Sequence, residues 1–326
     1  MCLCLEERKV NQQMEETNPI KSYEDLITPY EQTRAGFLSL ALEKNKQSTP
    51  FIEEAKVLKT FAHSAKTPMD LLKIPQINNS LLAASGLSNK ALGHLNEQDK
   101  KKAILDLIKN FLEPTGNDFV DELVYRFLLT RGDSLGGSMR NIAGKIGEWR
   151  FIRILLSTLS ISSYKCKYLE KGSSNKWKCY SVDPDIEKKI KVLNWVSPFG
   201  NRILVFNKIV PIIGKNVDLI LLDSSNFNSG VLQNTEKYLA LGEIKGGIDP
   251  AGADEHWKTA NSALDRIRKG FLMKNSQPYT FFISAAIENS MAKEIFEQLQ
   301  NGIMTKAANL TNVDQVVNLC SWLISL

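Results

Sequence analysis

Apolar positions recur at spacings of three and four through Ile142, Ile146, Trp149, Ile152, Leu156 and Leu159. They do so again through Trp257, Ala260, Leu264, Ile267 and Phe271. Each stripe predicts an amphipathic helix with one buried face. Between and after these helices the pattern shortens. Runs at 164–169, 177–182, 192–196 and 202–210 read as strands, the first two flanking a turn at 171–175. The runs 216–222, 238–241 and 280–287 are almost wholly apolar, as strands covered on both faces are. Helical segments near 291–300 and 313–323 close the chain.

The first 112 residues contain little that reads as strand. Residues 1–21 are polar and predict a loose tail. Ser22 to Asp25 resembles a helix-capping sequence, and Phe37, Leu38 and Leu40 continue an apolar face. Helical segments follow at 51–65, 68–73, 78–85 and 88–112, separated by Pro68, Pro75 and Gly86. A helix at 117–129, with Phe119, Val120, Leu123, Phe127 and Leu128 as its core residues, leads into a glycine-containing loop at 130–141. The organisation expected is a tail over 1–21, a helical domain over 22–130 and an α/β domain over 131–326.

Composition narrows the class without naming a function. With 326 residues, 43% hydrophobic and 24% charged, the chain has the make-up of a soluble globular protein. No stretch approaches a membrane span, and the charged residues from Glu6 to Lys9 come too early for a secretory leader. A bacterial cytoplasmic location is the expectation. Cys2, Cys4, Cys166, Cys179 and Cys320 form no C-x-x-C pair, so reduced thiols are expected and a zinc site is not. A net charge of +5 permits a polyanionic partner but does not require one.

Candidate chemistry concentrates in residues 241–257. Glu243 and Lys245 stand two apart on a strand, so they project from one face and end at the Gly246-Gly247 bend. A carboxylate there can hold a hard divalent cation, while an ammonium steadies phosphate charge. The same pair is also an ordinary surface ion pair, so its neighbours matter. Asp218 opens the preceding apolar strand and can meet Glu243 across adjacent strands; His256 lies in the first turn of the next helix. Arg131 and Arg140 sit in the glycine loop, which suits either phosphate contact or a flexible connector. Lys90 in a first helical turn, and Lys258 off its helix's apolar stripe, can face DNA or merely water. Glu148 reads as a salt-bridged helix glutamate or as a further acid near the metal, and Gly144 and Gly147 suggest close approach to another backbone. No phosphate-binding loop of the G-x-x-x-x-G-K-[ST] order is present.

The order Asp218, then Glu243-Ile244-Lys245, resembles the Pro-Asp…(Asp/Glu)-x-Lys nuclease motif, with Val217 in place of its proline. Residues 24–28, 121–129, 131–137 and 242–259 resemble more narrowly the AvaI/BsoBI-type restriction endonucleases, over a span from about residue 22 to the end. The resemblance implies a restriction-endonuclease-like mixed-sheet core with an N-terminal helical domain. It implies a homodimer surrounding double-stranded DNA, Mg²⁺-dependent cleavage at CYCGRG leaving 5′ overhangs, and a cognate DNA methyltransferase. By the same resemblance, Asp218, Glu243 and Lys245 are the catalytic acids and lysine, and the two acids hold the metal. His256 is a histidine near the scissile phosphate proposed as base, Asp249 reads a base edge, and Lys90 matches a base-reading lysine. Two rivals stay open: a sequence-specific DNA-binding protein without cleavage, and a structure-selective repair nuclease.

Overall fold

The computed structural model describes residues 19–172, 176–181 and 183–326, with the side chain of Arg140 left out. Cys2, Cys4 and most of the tail fall outside the described residues, as do the centre of the turn at 171–175 and Val182 at the end of the strand expected over 177–182. The helices of the first half are α1 (Tyr30–Ala62), α2 (Asn78–Ala84), α3 (Asn89–Leu92), α4 (Glu97–Leu107) and α5 (Phe119–Ile161). The second half holds strands β1 (Cys166–Glu170) and β2 (Lys178–Cys179), helix α6 (Ile186–Lys189), then β3 (Ile190–Ser197), β4 (Gly200–Val210), β5 (Lys215–Asp223) and β6 (Tyr238–Lys245). Helix α7 (Ala253–Leu272), β7 (Tyr279–Ser284), α8 (Asn289–Gln300), β8 (Lys306–Asn309) and α9 (Val313–Ser325) complete it.

The chain divides into two compact units, residues 38–142 and residues 1–37 with 143–326. The first is helical. Its core joins Leu58, Leu71, Leu81, Ile104, Leu107, Leu112, Leu123 and Phe127, all nearly inaccessible to water.

The second unit is built on one eight-stranded mixed sheet in the order β2-β1-β3-β4-β5-β6-β7-β8. Pairing is antiparallel from β2 to β6 and parallel from β6 to β8. Parallel neighbours need a crossover rather than a hairpin, and α7 and α8 supply the two required. The predicted stripe of α7 is the one that is buried: Trp257, Ala260, Leu264, Ile267 and Phe271 lie in the core with Leu241, Ile220 and Phe282 of the sheet. Tilted contact between the Trp257 and Phe282 rings, 5.0 Å apart, fixes the start of α7 on β7.

Two expectations change. Residues 130–141 form no loop; α5 runs without a break from Phe119 to Ile161. Glycine lowers helix propensity by about 1 kcal/mol per residue but keeps its N–H donor, so with no proline in the stretch the hydrogen-bond ladder continues. Residues 131–142, expected with the α/β domain, belong to the helical unit, and residues 22–37, expected with the helical domain, belong to the α/β unit. Leu26 is fully buried there, and its carbonyl accepts from the Asn309 side chain at 2.9 Å. The Gln315 amide donates to the Asp25 carbonyl at 2.6 Å. Two polar anchors more than 280 positions away in sequence have no signature in local periodicity.

Candidate active site

In the antiparallel register of β5 and β6, Leu219 faces Gly242 and Ile220 faces Leu241, so the next rung sets Asp218 opposite Glu243. Strand alternation then points Glu243 and Lys245 from the same face of β6. Three bonds tie the group. The Lys245 ammonium lies 3.1 Å from Glu243 Oε2 and 3.5 Å from Asp218 Oδ2, and the Ile244 amide donates to Asp218 Oδ2 at 3.1 Å. The Glu243 side chain is only 6% exposed, against 19% for Asp218 and 20% for Lys245, so the cluster has a buried floor and a wet rim.

Burial, and then the Asp218 carboxylate beside it, push Glu243 up to about 7, although Lys245 works in the opposite direction. Burial also weakens the Lys245 ammonium, but the two carboxylates outweigh it and hold that lysine above its ordinary value. Two acids facing each other with one ammonium between them carry an excess of negative charge that a cation relieves.

The end of β6 is fixed by close backbone contact. A β-carbon built on Gly147 of α5 would lie 2.3 Å from Gly246 Cα, and one built on Gly246 would lie 2.3 Å from the Gly144 carbonyl oxygen. The approach expected of Gly144 and Gly147 is therefore made against the residue that follows Lys245. His256, exposed in the first turn of α7, turns Nε2 toward the same bend: β-carbons built on Gly252 and Gly247 would lie 3.4 and 3.9 Å from it. Among the described residues, no hydrogen bond or ion pair joins His256 to Asp218, Glu243 or Lys245.

Known proteins share this chain nearly end to end. The family described as Restriction endonuclease BsobI matches residues 16–326. Type II restriction enzyme AvaI, from Nostoc sp. and from Anabaena variabilis, is 53% identical over 309 residues, covering 94% of this chain and 98% of that enzyme. Type II restriction enzyme BsoBI of Geobacillus stearothermophilus is 50% identical over 323 residues, 97% of this chain and all of that enzyme. The chain belongs to the BsobI restriction endonuclease family. Like the BsobI-family relatives it matches, it is a type II restriction endonuclease, a site-specific deoxyribonuclease. Enzymes of this type generally need a divalent metal. The BsobI-family site here suits one: its donors are carboxylate oxygens, and Glu243 is buried beside a like charge. Among the described residues no three His, Cys, Asp or Glu side chains form a closed cage.

Among the described residues, no hydrogen bond or ion pair joins the other candidate residues of this BsobI-family chain to the cluster. Asp249 is exposed beyond the bend; Oδ1 accepts from the Ala251 amide at 3.0 Å, and Oδ2 has no partner among the described residues. Lys90 is exposed in the helical unit, on α3, whose start is capped by Ser88. Arg131 is on α5, not on a glycine loop: it pairs with Glu54 at 3.1 Å and lies over the rings of Phe127 and Phe51. Arg140 shares that helix, but its side chain is outside the described residues. Lys258 is exposed and pairs with Asp254 one turn earlier at 2.6 Å. Glu148 takes the salt-bridged role: it is buried, accepts from Asn207 at 2.7 Å and pairs with Lys171 at 3.5 Å. No helix among the described residues is long and apolar enough to cross a membrane.

Proposed function

We propose that this restriction endonuclease works as a homodimer and cuts both strands of DNA at the degenerate palindrome CYCGRG, with Mg²⁺ as its cofactor and 5′ overhangs as its product. The observation that carries the reading is the convergence of Asp218, Glu243 and Lys245 at one solvent-open point where β5 meets β6. Asp218 and Glu243 would hold the ion, with water and phosphate oxygens completing its shell. When bound, Mg²⁺ polarises the scissile phosphate and favours attack by water at neutral pH.

The remaining roles belong to the chain itself. Lys245 supplies positive charge where the five-coordinate phosphorus gathers negative charge. His256, its Nε2 turned toward the Gly246-Gly247 bend, accepts the proton of the attacking water. The free Oδ2 of Asp249 suits acceptance from a cytosine amino group, and Lys90 suits donation to guanine N7 and O6. Lys258, 66% exposed although paired with Asp254, is better suited to a backbone phosphate than Arg131, 19% exposed and paired with Glu54. A two-fold dimer matches a palindrome because each subunit reads one half. A methyltransferase that modifies the same site belongs to the system, and both proteins work in the bacterial cytoplasm.

Plasmid digestion with Mg²⁺, followed by run-off sequencing of the products, tests the proposal. Discrete fragments ending within CYCGRG are expected. Intact plasmid with retained site binding would instead mark a non-cleaving binder, and nicks at branched junctions would mark a repair nuclease.

A further inference from the structure

The segment from Ile20 to Phe37 is fastened to the turn that holds the end of β6. The Thr28 hydroxyl donates to the Ala285 carbonyl and accepts from the Ile287 amide and from Asn309 Nδ2, each at 2.9 Å. The Thr28 amide donates to the Ile287 carbonyl at 3.0 Å, and the Ala285 amide donates to the Lys245 carbonyl at 2.9 Å. Thr28 is therefore one residue removed from the backbone of Lys245. From this anchor α1 begins at Tyr30 and brings Gly36 against Ile248, in the loop that follows β6.

At Gly36 the fit is close. A β-carbon there would lie 2.4 Å from Ile248 Cγ1 and 3.0 Å from both Cβ and Cγ2. Glycine in a helix interior costs about 1 kcal/mol relative to alanine, so the helix itself gains nothing from it. What the missing side chain provides is a slot, and the buried Ile248 side chain fills it. Ile248 stands directly before Asp249, and Pro250 after it fixes the chain direction at the next residue. With Gly246 held by α5 and Ile248 held by α1, the backbone leading to Asp249 is pinned on both sides.

We propose that Gly36 is a positioning residue for recognition: by seating Ile248 it sets where the Asp249 carboxylate stands, although Gly36 itself touches no DNA. This rests on the reading of Asp249 as a base-reading residue. A methyl at position 36 pushes Ile248 outward and carries Asp249 with it. An alanine at 248 leaves the slot empty and the loop loose. In the double variant the methyl at 36 takes back part of the space left by the three carbons lost at 248.

The test uses the full chain and four variants: Gly36→Ala, Ile248→Ala, the double variant and Asp249→Asn. KM and kcat are measured on a cognate duplex and on duplexes with one altered base pair, alongside melting temperature. Gly36→Ala is expected to raise cognate KM and narrow the cognate-to-altered ratio roughly tenfold, with a smaller change in kcat. Ile248→Ala narrows the ratio too, and the double variant recovers part of it. An unchanged ratio in both single variants overturns the proposal, as does a double variant that is folded but no better than either parent. Asp249→Asn separates the two layers. If it leaves discrimination intact, the base-reading role of Asp249 fails; if it narrows the ratio while the 36 and 248 variants do not, only the positioning role fails.

Discussion

Lys245→Ala lowers the cleavage rate by about 10² to 10³, as removal of one preorganised charge from a reaction centre does. Glu243→Gln lowers it further, because it also removes half of the carboxylate donor set that suits a divalent ion. In both variants specific binding to the cognate duplex persists in a gel-shift assay. Full cleavage by either would remove these residues from the chemistry. Glu243→Gln has a second expected effect, on stability. In the fold Glu243 titrates near 7, above the 4.5 of a free glutamate, so between these values the folded chain keeps a proton that the unfolded chain has lost. Native stability therefore declines as pH rises through that window. Glutamine carries no such charge. In metal-free buffer at pH 8 the Gln variant is more stable than the parent by roughly 1 to 3 kcal/mol, and below pH 4.5 the advantage is gone. Chemical denaturation at the two pH values measures it. An equal difference at both would assign the effect to packing rather than ionisation.

Gly147→Ala inactivates by a different route. Its new methyl would need to stand 2.3 Å from Gly246 Cα and 3.3 Å from the Gly246 carbonyl carbon. Both neighbours are backbone, so no rotamer change relieves the overlap. Helix α5 and the end of β6 must separate, and Lys245, one residue before Gly246, moves with that end. Overpacking of this kind costs about 1 to 3 kcal/mol or more, and displacement of a reacting group by 1 Å costs on the order of 10² in rate. Gly137→Ala on the same helix is the control. A β-carbon there meets nothing within 4 Å, so the variant gains helix propensity of about 1 kcal/mol and keeps its activity. Equal melting temperatures and equal kcat for the two alanine variants would show that the α5 contact with Gly246 does not hold the site.

The elements legible in the sequence were those whose signal is local. β5, β6 and β7 stand out as apolar runs because both faces of those strands are covered, and α7 stands out because only one of its faces is. Asp218 and Glu243-x-Lys245 could be paired in advance because strand alternation and adjacency dictate where such side chains point. The segment 130–141 misled, since glycine density marks turns in most contexts; here the unbroken donor ladder kept α5 helical and placed Arg131 against Glu54 and two phenylalanines. β8 was missed because Lys306 to Asn309 is four residues with two alanines, a strand by virtue of its pairing with β7 and not of its composition. Gly36 and Thr28 left no trace either. Their partners, Ile248 and Ala285, lie more than 200 positions onward, and only the folded chain reveals that a glycine in a helix is the seat of a loop.

β5 and β6 are interior strands, with four strands outside β5 on one flank and two outside β6 on the other. Fraying starts at sheet borders, where main-chain amides lack a second neighbour, so warming erodes β2 and β8 long before it reaches the rungs bearing Asp218 and Glu243. The strands that carry the proposed catalytic group are thus among the last parts of the sheet to melt. Heat that dissolves the carboxylates' scaffold has by then already taken the border strands of the same sheet.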